Sequence, residues 1–231
     1  MQAYNCIIEK NVEIERRKFR REGEEKRRDQ LVEAALEIIA EFGSEAATVR
    51  AIAERAGVTQ GLIRHYFNSK DELTRAAYNI HMQRINDISF DALDRAAPTA
   101  DARLSAFILA PLQPQALGAS VFSLWSAFLQ MVRRDPEMAA VHEANYLAYR
   151  DRLESLIAAF PGQHDPVLLR RQAIACNAVI DGLWLEGSAY PEGFDRDELA
   201  QIGLSAIGSI IGITLPGMTS LALNGNTKDR L

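Results

Sequence analysis

The apolar positions of this chain recur at helical spacing almost from end to end, and two-residue alternation is nearly absent. Leu31, Ala34, Ala35, Ile38, Ile39 and Phe42 fall at i, i+3, i+4, i+7, i+8 and i+11, one face of a first helix that Gly43 closes. Thr48 is an N-cap for a second, short helix carrying Val49, Ile52, Ala53 and Ala56, and Gly57 stops it. Thr59 caps a third, whose apolar residues are Leu62, Ile63, Tyr66 and Phe67. Ser69 to Glu72 reads as a capping box, opening a fourth helix through Leu73, Ala76, Ala77 and Ile80 towards Leu93, with Pro98 beyond. Further helices are predicted at 101–109, 120–134, 137–160, 166–189 and 195–215, each followed by a proline. The pattern predicts an all-α protein: a basic, flexible extension at 1–25, a three-helix head at 26–72, a helical domain at 73–215 and a polar tail at 216–231.

Composition narrows the class. Of 231 residues, 48% are hydrophobic and 25% charged, enough for a sizeable core and too apolar for disorder throughout. No uninterrupted apolar run approaches the ~18 residues of a membrane span, and Met1 to Lys10 lacks the apolar core of a signal peptide. Cys6 and Cys176, 170 positions apart, make neither a disulfide framework nor a zinc site. A cytoplasmic protein with no metal and no cofactor is expected. The net charge of −5 hides an asymmetry: +1 over residues 1–70 and −6 over 71–231, with 8 basic against 3 acidic residues in 16–28. A locally basic end on an acidic protein points to a polyanionic partner at that end.

Two short helices joined at Gly57-Val58 and braced by a longer first helix follow the helix-turn-helix plan. The small residues Ala51, Ala53 and Ala56 let the third helix cross the second closely, and Gly57 supplies a left-handed backbone. Leu62, Ile63 and Phe67 can pack inward, leaving Thr59, Gln60, Gly61, Arg64 and His65 free for a major groove. Gln60 and Arg64 lie four apart on one side; Gln pairs with adenine and Arg with guanine in bidentate fashion. Thr48, Tyr66 and Lys70 flank the helix as phosphate contacts, which position rather than specify.

Thr48–Leu73, TVRAIAERAGVTQGLIRHYFNSKDEL, resembles the DNA-binding domain of the TetR family of bacterial transcriptional regulators, a likeness spanning roughly residues 27–75. The resemblance implies a three-helix head, a helix linking it to an all-α domain that dimerises and holds an effector, and DNA contacts at Thr59, Gln60, Gly61, Arg64, His65, Tyr66 and Lys70. The chain departs from the family in the length of sequence before its first helix. Arg16–Arg28 is either an arm that enters a minor groove or tracks phosphate, or a segment with no part in binding.

Helix 166–189 is apolar on most sides over IACNAVIDGLWL and must be covered on most sides. Gly203, Ala206, Gly208, Ser209 and Gly212 give the last helix faces that permit close approach. A homodimer interface is therefore expected through Val179, Leu183, Gly203, Ile207, Gly208, Ile211 and Gly212. One polar line, Asn177, Asp181, Trp184 and Ser188, interrupts the apolar helix, and an unpartnered carboxylate there would be costly. That face meets an interface partner, water or an effector. Ile180–Leu185, with the helix of Trp125 and Phe128, is similar to the C-terminal domain of the BetI-like branch of the family, whose type member answers choline in glycine-betaine synthesis. Trp125, Phe128, Tyr146, Tyr149 and Trp184 are the candidate rings for a quaternary ammonium, with Asn177 and Asp181 beside them.

Enzyme signatures are missing. There is no G-x-S-x-G elbow, P-loop or dinucleotide fingerprint, and His142-Glu143 is not followed by a second His at metalloprotease spacing. An all-α enzyme using Asp181 is the alternative of another class. The sequence reads as a homodimeric regulator with two partners besides itself, a double-stranded DNA operator and a small-molecule effector, and with no membrane and no catalytic residues.

Overall fold

The computed structural model describes residues 23–162, 165–195 and 197–216. Among these residues the secondary structure is helical, without strands. The basic segment 16–28 lies outside the described residues up to position 22. From position 23 it is already helix, so Lys26, Arg27 and Arg28 ride on the first helix instead of on a loose extension. The chain divides into two compact units between Ala77 and Tyr78.

The first unit holds α1 (23–42), α2 (Val49–Arg55), α3 (Gln60–Tyr66) and the first turns of α4 (Lys70–Arg95). Each short helix starts where a threonine can satisfy an orphan amide. Thr48 Oγ1 accepts from Ala51 N at 3.1 Å, and Thr59 Oγ1 from Leu62 N at 3.3 Å. Gly57, at φ 65°, makes the turn between them in a region where a Cβ would be strained. Ile52, Ala53, Ile63 and Phe67 are buried along with Leu31, Ala35, Ile38 and Ile39 of α1. Phe42 departs from the predicted stripe: it is 66% exposed, and the buried face of α1 ends at Ile39. The box before α4 also differs in detail. Glu72 N donates to Ser69 Oγ, but the Glu72 carboxylate turns to Asn68, accepting from its backbone and side-chain nitrogens at 2.8 Å each.

The second unit holds the rest of α4, then α5 (Ala100–Leu109), a 3-10 turn (Ala110–Leu112), α6 (Ala119–Val132), α7 (Pro136–Ala158), α8 (Pro166–Ala189) and α9 (Glu198–Ile211). Its core runs through Leu104, Phe107 and Ile108 of α5, Leu153 and Ile157 of α7, Ala173, Cys176 and Ile180 of α8, and Leu204, Ile207 and Ile211 of α9. The helix is shorter at α9 than the predicted 195–215. Gly212, at φ 75°, ends it in a left-handed turn, and the Ile213 amide donates back to the Gly208 carbonyl at 2.9 Å.

Within the protomer, the expected interface residues have packing roles of their own. Gly203, Ile207, Gly208 and Ile211 are all buried inside the protomer. A Cβ on Gly203 would lie 3.1 Å from Leu112 and 3.3 Å from Leu183, so this glycine permits close packing within the chain. Val179 packs against the same internal core and Leu183 is half-buried, while Gly212 serves as the helix stop. The large apolar side chains that α8 and α9 leave exposed are Val167, Leu168, Ile174, Leu185 and Ile202.

Gly208 offers a stability test. A Cβ there would sit 2.7 Å from the Ile213 carbonyl oxygen, a backbone atom that cannot swing aside. Gly208→Ala is expected to cost about 1–3 kcal/mol as overpacking, despite alanine's better helix propensity. Urea unfolding of variant and parent checks it.

Candidate nucleic-acid interface and effector cavity

On α3 the buried side is Ile63, with Phe67 just after the helix, while Gln60, Gly61, Arg64 and His65 are exposed. Tyr66 and Lys70 are half-buried, and Thr48 and Thr59 are exposed cap residues. The eight residues expected to meet DNA thus come from the start of α2, the whole of α3 and the start of α4. Four of them also make contacts within the chain. Both threonines spend a lone pair on helix amides, and the rings of His65 and Tyr66 meet edge to face, 5.1 Å apart. The Arg28 guanidinium lies over the Phe67 ring at 4.9 Å, which fixes one cation of the basic run beside the end of α3.

The second unit contains a cavity of about 420 Å³. Its walls come from α4 (Met82, Ile85, Asn86), the 3-10 turn (Pro111), α6 (Trp125, Leu129), α7 (His142, Tyr146, Tyr149) and α8 (Asn177, Ile180, Asp181, Gly182, Trp184, Leu185). Six of the seven expected effector residues line it. Phe128 does not. It is fully buried, packed against Tyr78 at 4.9 Å and His81 at 5.7 Å, and Leu129 takes the wall position instead. Ser188 also leaves the polar line, buried outside the cavity.

The polar side of the cavity is a small hydrogen-bonded network running from buried Asn177 to exposed Asp181. The Asn177 amide donates to Tyr146 Oη and to Asp181 Oδ2, both at 2.7 Å, and Tyr146 Oη donates to the same Oδ2 at 3.3 Å. Desolvation raises the Asp181 pKa, and these hydrogen bonds offset part of the rise. Trp184 Nε1 donates to the Ala116 carbonyl at 3.1 Å, which fixes the ring, and the Trp125 ring meets it near-perpendicularly at 5.7 Å. The Tyr78 hydroxyl of α4 and Nδ1 of His142 share a hydrogen bond of 2.6 Å. Burial depresses the His142 pKa and raises that of Tyr78, which keeps both groups neutral. His142 also stacks on Tyr146 at 5.8 Å.

Sequence reasoning missed the α4 wall and His142. Asn86 and His142 are isolated polar residues on α4 and α7, and only the fold brings Tyr78 and His142, 64 positions apart, into one hydrogen bond. His81, one turn from Tyr78, is 6% exposed, its Nε2 has no partner, and burial together with Arg84 pushes its pKa down to about 4.

A polar-faced helix-turn-helix head followed by a helical domain enclosing a cavity defines a ligand-responsive DNA-binding transcriptional regulator. Residues 31–77 match the family described as bacterial regulatory proteins, tetR family, and residues 100–212 match the BetI-type transcriptional repressor C-terminal family. The chain belongs to the TetR family of bacterial transcriptional regulators, in its BetI-like branch, and these are regulators rather than enzymes. It is 30% identical over 169 residues to the HTH-type transcriptional regulator BetI of Burkholderia thailandensis, covering 73% of this chain and 85% of that one. A BetI of Burkholderia mallei is 33% identical over 173 residues, with the same two shares. Among solved structures, a putative transcriptional regulator from Pseudomonas aeruginosa superposes with a TM-score of 0.74 at 31% identity, over 81% of this chain and 91% of that one. A putative regulator from Saccharomonospora viridis, solved in complex with choline, shares the fold with a TM-score of 0.64 at 21% identity, over 78% and 94%. Regulators of this family bind DNA operators, form dimers and bind small-molecule effectors.

Proposed function

We propose that the protein is a homodimeric repressor that a small-molecule effector releases from a palindromic operator. The observation that carries this reading is that α4 starts at Lys70, beside the recognition helix, and later walls the cavity with Met82, Ile85 and Asn86. One α3 from each protomer enters the major groove, with Gln60, Gly61, Arg64 and His65 towards the bases and Thr48, Thr59, Tyr66 and Lys70 towards the backbone. The dimer forms through the exposed faces of α8 and α9, with Val167, Leu168, Ile174 and Ile202 supplying the apolar contact. The effector occupies the cavity among Trp125, Tyr146, Tyr149, Asn177, Asp181 and Trp184. It shifts the population of α4 positions by no more than its differential affinity for the two states. Such a protein acts in the cytoplasm, where bacterial DNA is.

The head is 26–72 in this reading, the ligand-binding domain is 73–215, and the two ends of the chain lie outside both. The test is fluorescence anisotropy of the purified dimer on DNA from immediately upstream of its own gene. Selective binding with a steep salt dependence supports the reading, and only weak, non-selective binding overturns it. Trp184→Ala is expected to raise the effector concentration needed for release at least tenfold while DNA affinity without effector stays within twofold. An unchanged response removes that ring from the site.

A second reading is favoured by the rings and Asp181 at the cavity together with the BetI relatives and the choline-bound neighbour. In it, choline is the effector and glycine-betaine synthesis genes are the targets. Release of operator DNA by choline, and not by glycine betaine, is its signature.

A further inference from the structure

The cavity is larger and more apolar than a small hydrophilic cation needs. At about 420 Å³ it holds on the order of a dozen water volumes and falls within the range of pockets for drug-sized ligands. Its aliphatic wall is built from Met82, Ile85, Pro111, Leu129, Ile180 and Leu185.

The polar groups on the walls are mostly spoken for. The Asn177 amide, the Tyr146 phenol and the Trp184 indole are engaged with one another, with Asp181 or with backbone. Asn86 Nδ2 donates to the Asn145 carbonyl at 3.1 Å, and His142 Nδ1 is held by Tyr78. A sugar or other polyhydroxylated ligand would find few donors in want of a partner. The exception is charge. Asp181 is the single carboxylate of the wall, no Lys or Arg lines the cavity, and among the described residues Asp181 has no ion-pair partner. Its Oδ2 takes both donors of the network, which leaves Oδ1 for a ligand. Asp181 is exposed at the edge of the cavity, where aromatic and aliphatic side chains flank it; its carboxylate attracts one positive charge, and the faces of Tyr146 and Trp184 attract the same charge.

We infer that the ligand of this cavity is an organic monocation with an extended apolar body: the cationic head at Asp181 and the neighbouring rings, the body along Ile85, Leu129 and Leu185. The inference rests on the cavity being the effector site, and it names the ligand class. Choline, a head with little body, would leave most of the apolar wall facing water.

The test is isothermal titration calorimetry of the full-length protein with tetramethylammonium, choline and n-butyl-, n-hexyl- and n-octyltrimethylammonium, against octanoate and 1-octanol. Affinity is expected to rise about fourfold per methylene over at least four methylenes, with octanoate at least tenfold weaker than the cation of equal chain. Asp181→Asn should remove at least tenfold of the preference for the cation over 1-octanol and leave 1-octanol binding unchanged. Ile85→Trp, which narrows the apolar end, should flatten the chain-length series and spare tetramethylammonium. Equal binding of tetramethylammonium and the octyl cation overturns the inference, as does preference for octanoate, or no binding by any of the series. Anisotropy on operator DNA separates the two layers. Long-chain cations that bind without releasing DNA preserve the ligand class and overturn the effector reading. Release by choline with no chain-length dependence does the opposite.

Discussion

Arg64→Ala is expected to abolish selective operator binding while the dimer and the fold survive. Arg64 is exposed on α3, and among the described residues it makes no hydrogen bond or ion pair within the chain. Its removal therefore leaves no buried group unsatisfied, and a surface change of this kind shifts stability by about 0.5 kcal/mol or less. The loss falls on the DNA side. A bidentate arginine–guanine contact discriminates by about 1–3 kcal/mol, and a dimer makes it twice, so affinity for the true site should drop on the order of a thousandfold. Affinity for unrelated DNA should change far less, because phosphate contacts carry it. Anisotropy on specific and scrambled duplexes reads both, and size-exclusion chromatography reads the dimer. A variant that dissociates, or that loses specific and non-specific binding equally, removes Arg64 from base readout.

The second large effect is on stability against pH. His81 is buried, its Nε2 lacks a partner, and Arg84 acts on it as a like charge, so its folded-state pKa is about 4. The Phe128 ring packs beside it and brings no charge. In the unfolded chain the imidazole titrates near its usual value of about 6.5. The unfolded state therefore binds the proton first as pH falls. Stability is fully present above about pH 6.5 and is lost between there and about pH 4, by roughly 2–4 kcal/mol. The lowered pKa of His142 adds to the loss in the same direction. Thermal melts at pH 7.5 and 4.5 measure it, and His81→Phe should reduce the difference by at least half. A parent protein as stable at pH 4.5 as at 7.5 refutes the account.

Much of the fold was legible because threonine caps, turn glycines and prolines mark helix ends by local chemistry. Thr48, Thr59 and Gly57 behave as their types predict, and α8 spans the predicted 166–189. What lay beyond reach was which side of an apolar helix faces what. On α6 nearly every position from Val121 to Val132 is apolar or small, so nothing marks the cavity side, and Phe128 and Leu129 differ by only about 100° of rotation. The α9 glycines posed the same ambiguity. A small residue permits close approach to any helix, whether it belongs to this chain or to a second copy. Asn177, Asp181 and Trp184 were found because a polar line on an apolar helix needs a reason. Met82 and Ile85 were not, because an apolar residue in a cavity wall looks the same in sequence as one in a core.

The tether from Trp184 to the Ala116 carbonyl bears on how this cavity can diverge. Phenylalanine or tyrosine at 184 would keep an aromatic face but lose the indole N–H, and with it the anchor of the segment leading into α6. Drift in ligand preference at that wall is coupled to the backbone of a loop. Leu129 and Ile85, which carry no such tether, can change size one substitution at a time. New specificities in relatives that retain this tryptophan should therefore accumulate on α4 and α6, leaving the α8 side of the cavity as the conservative one.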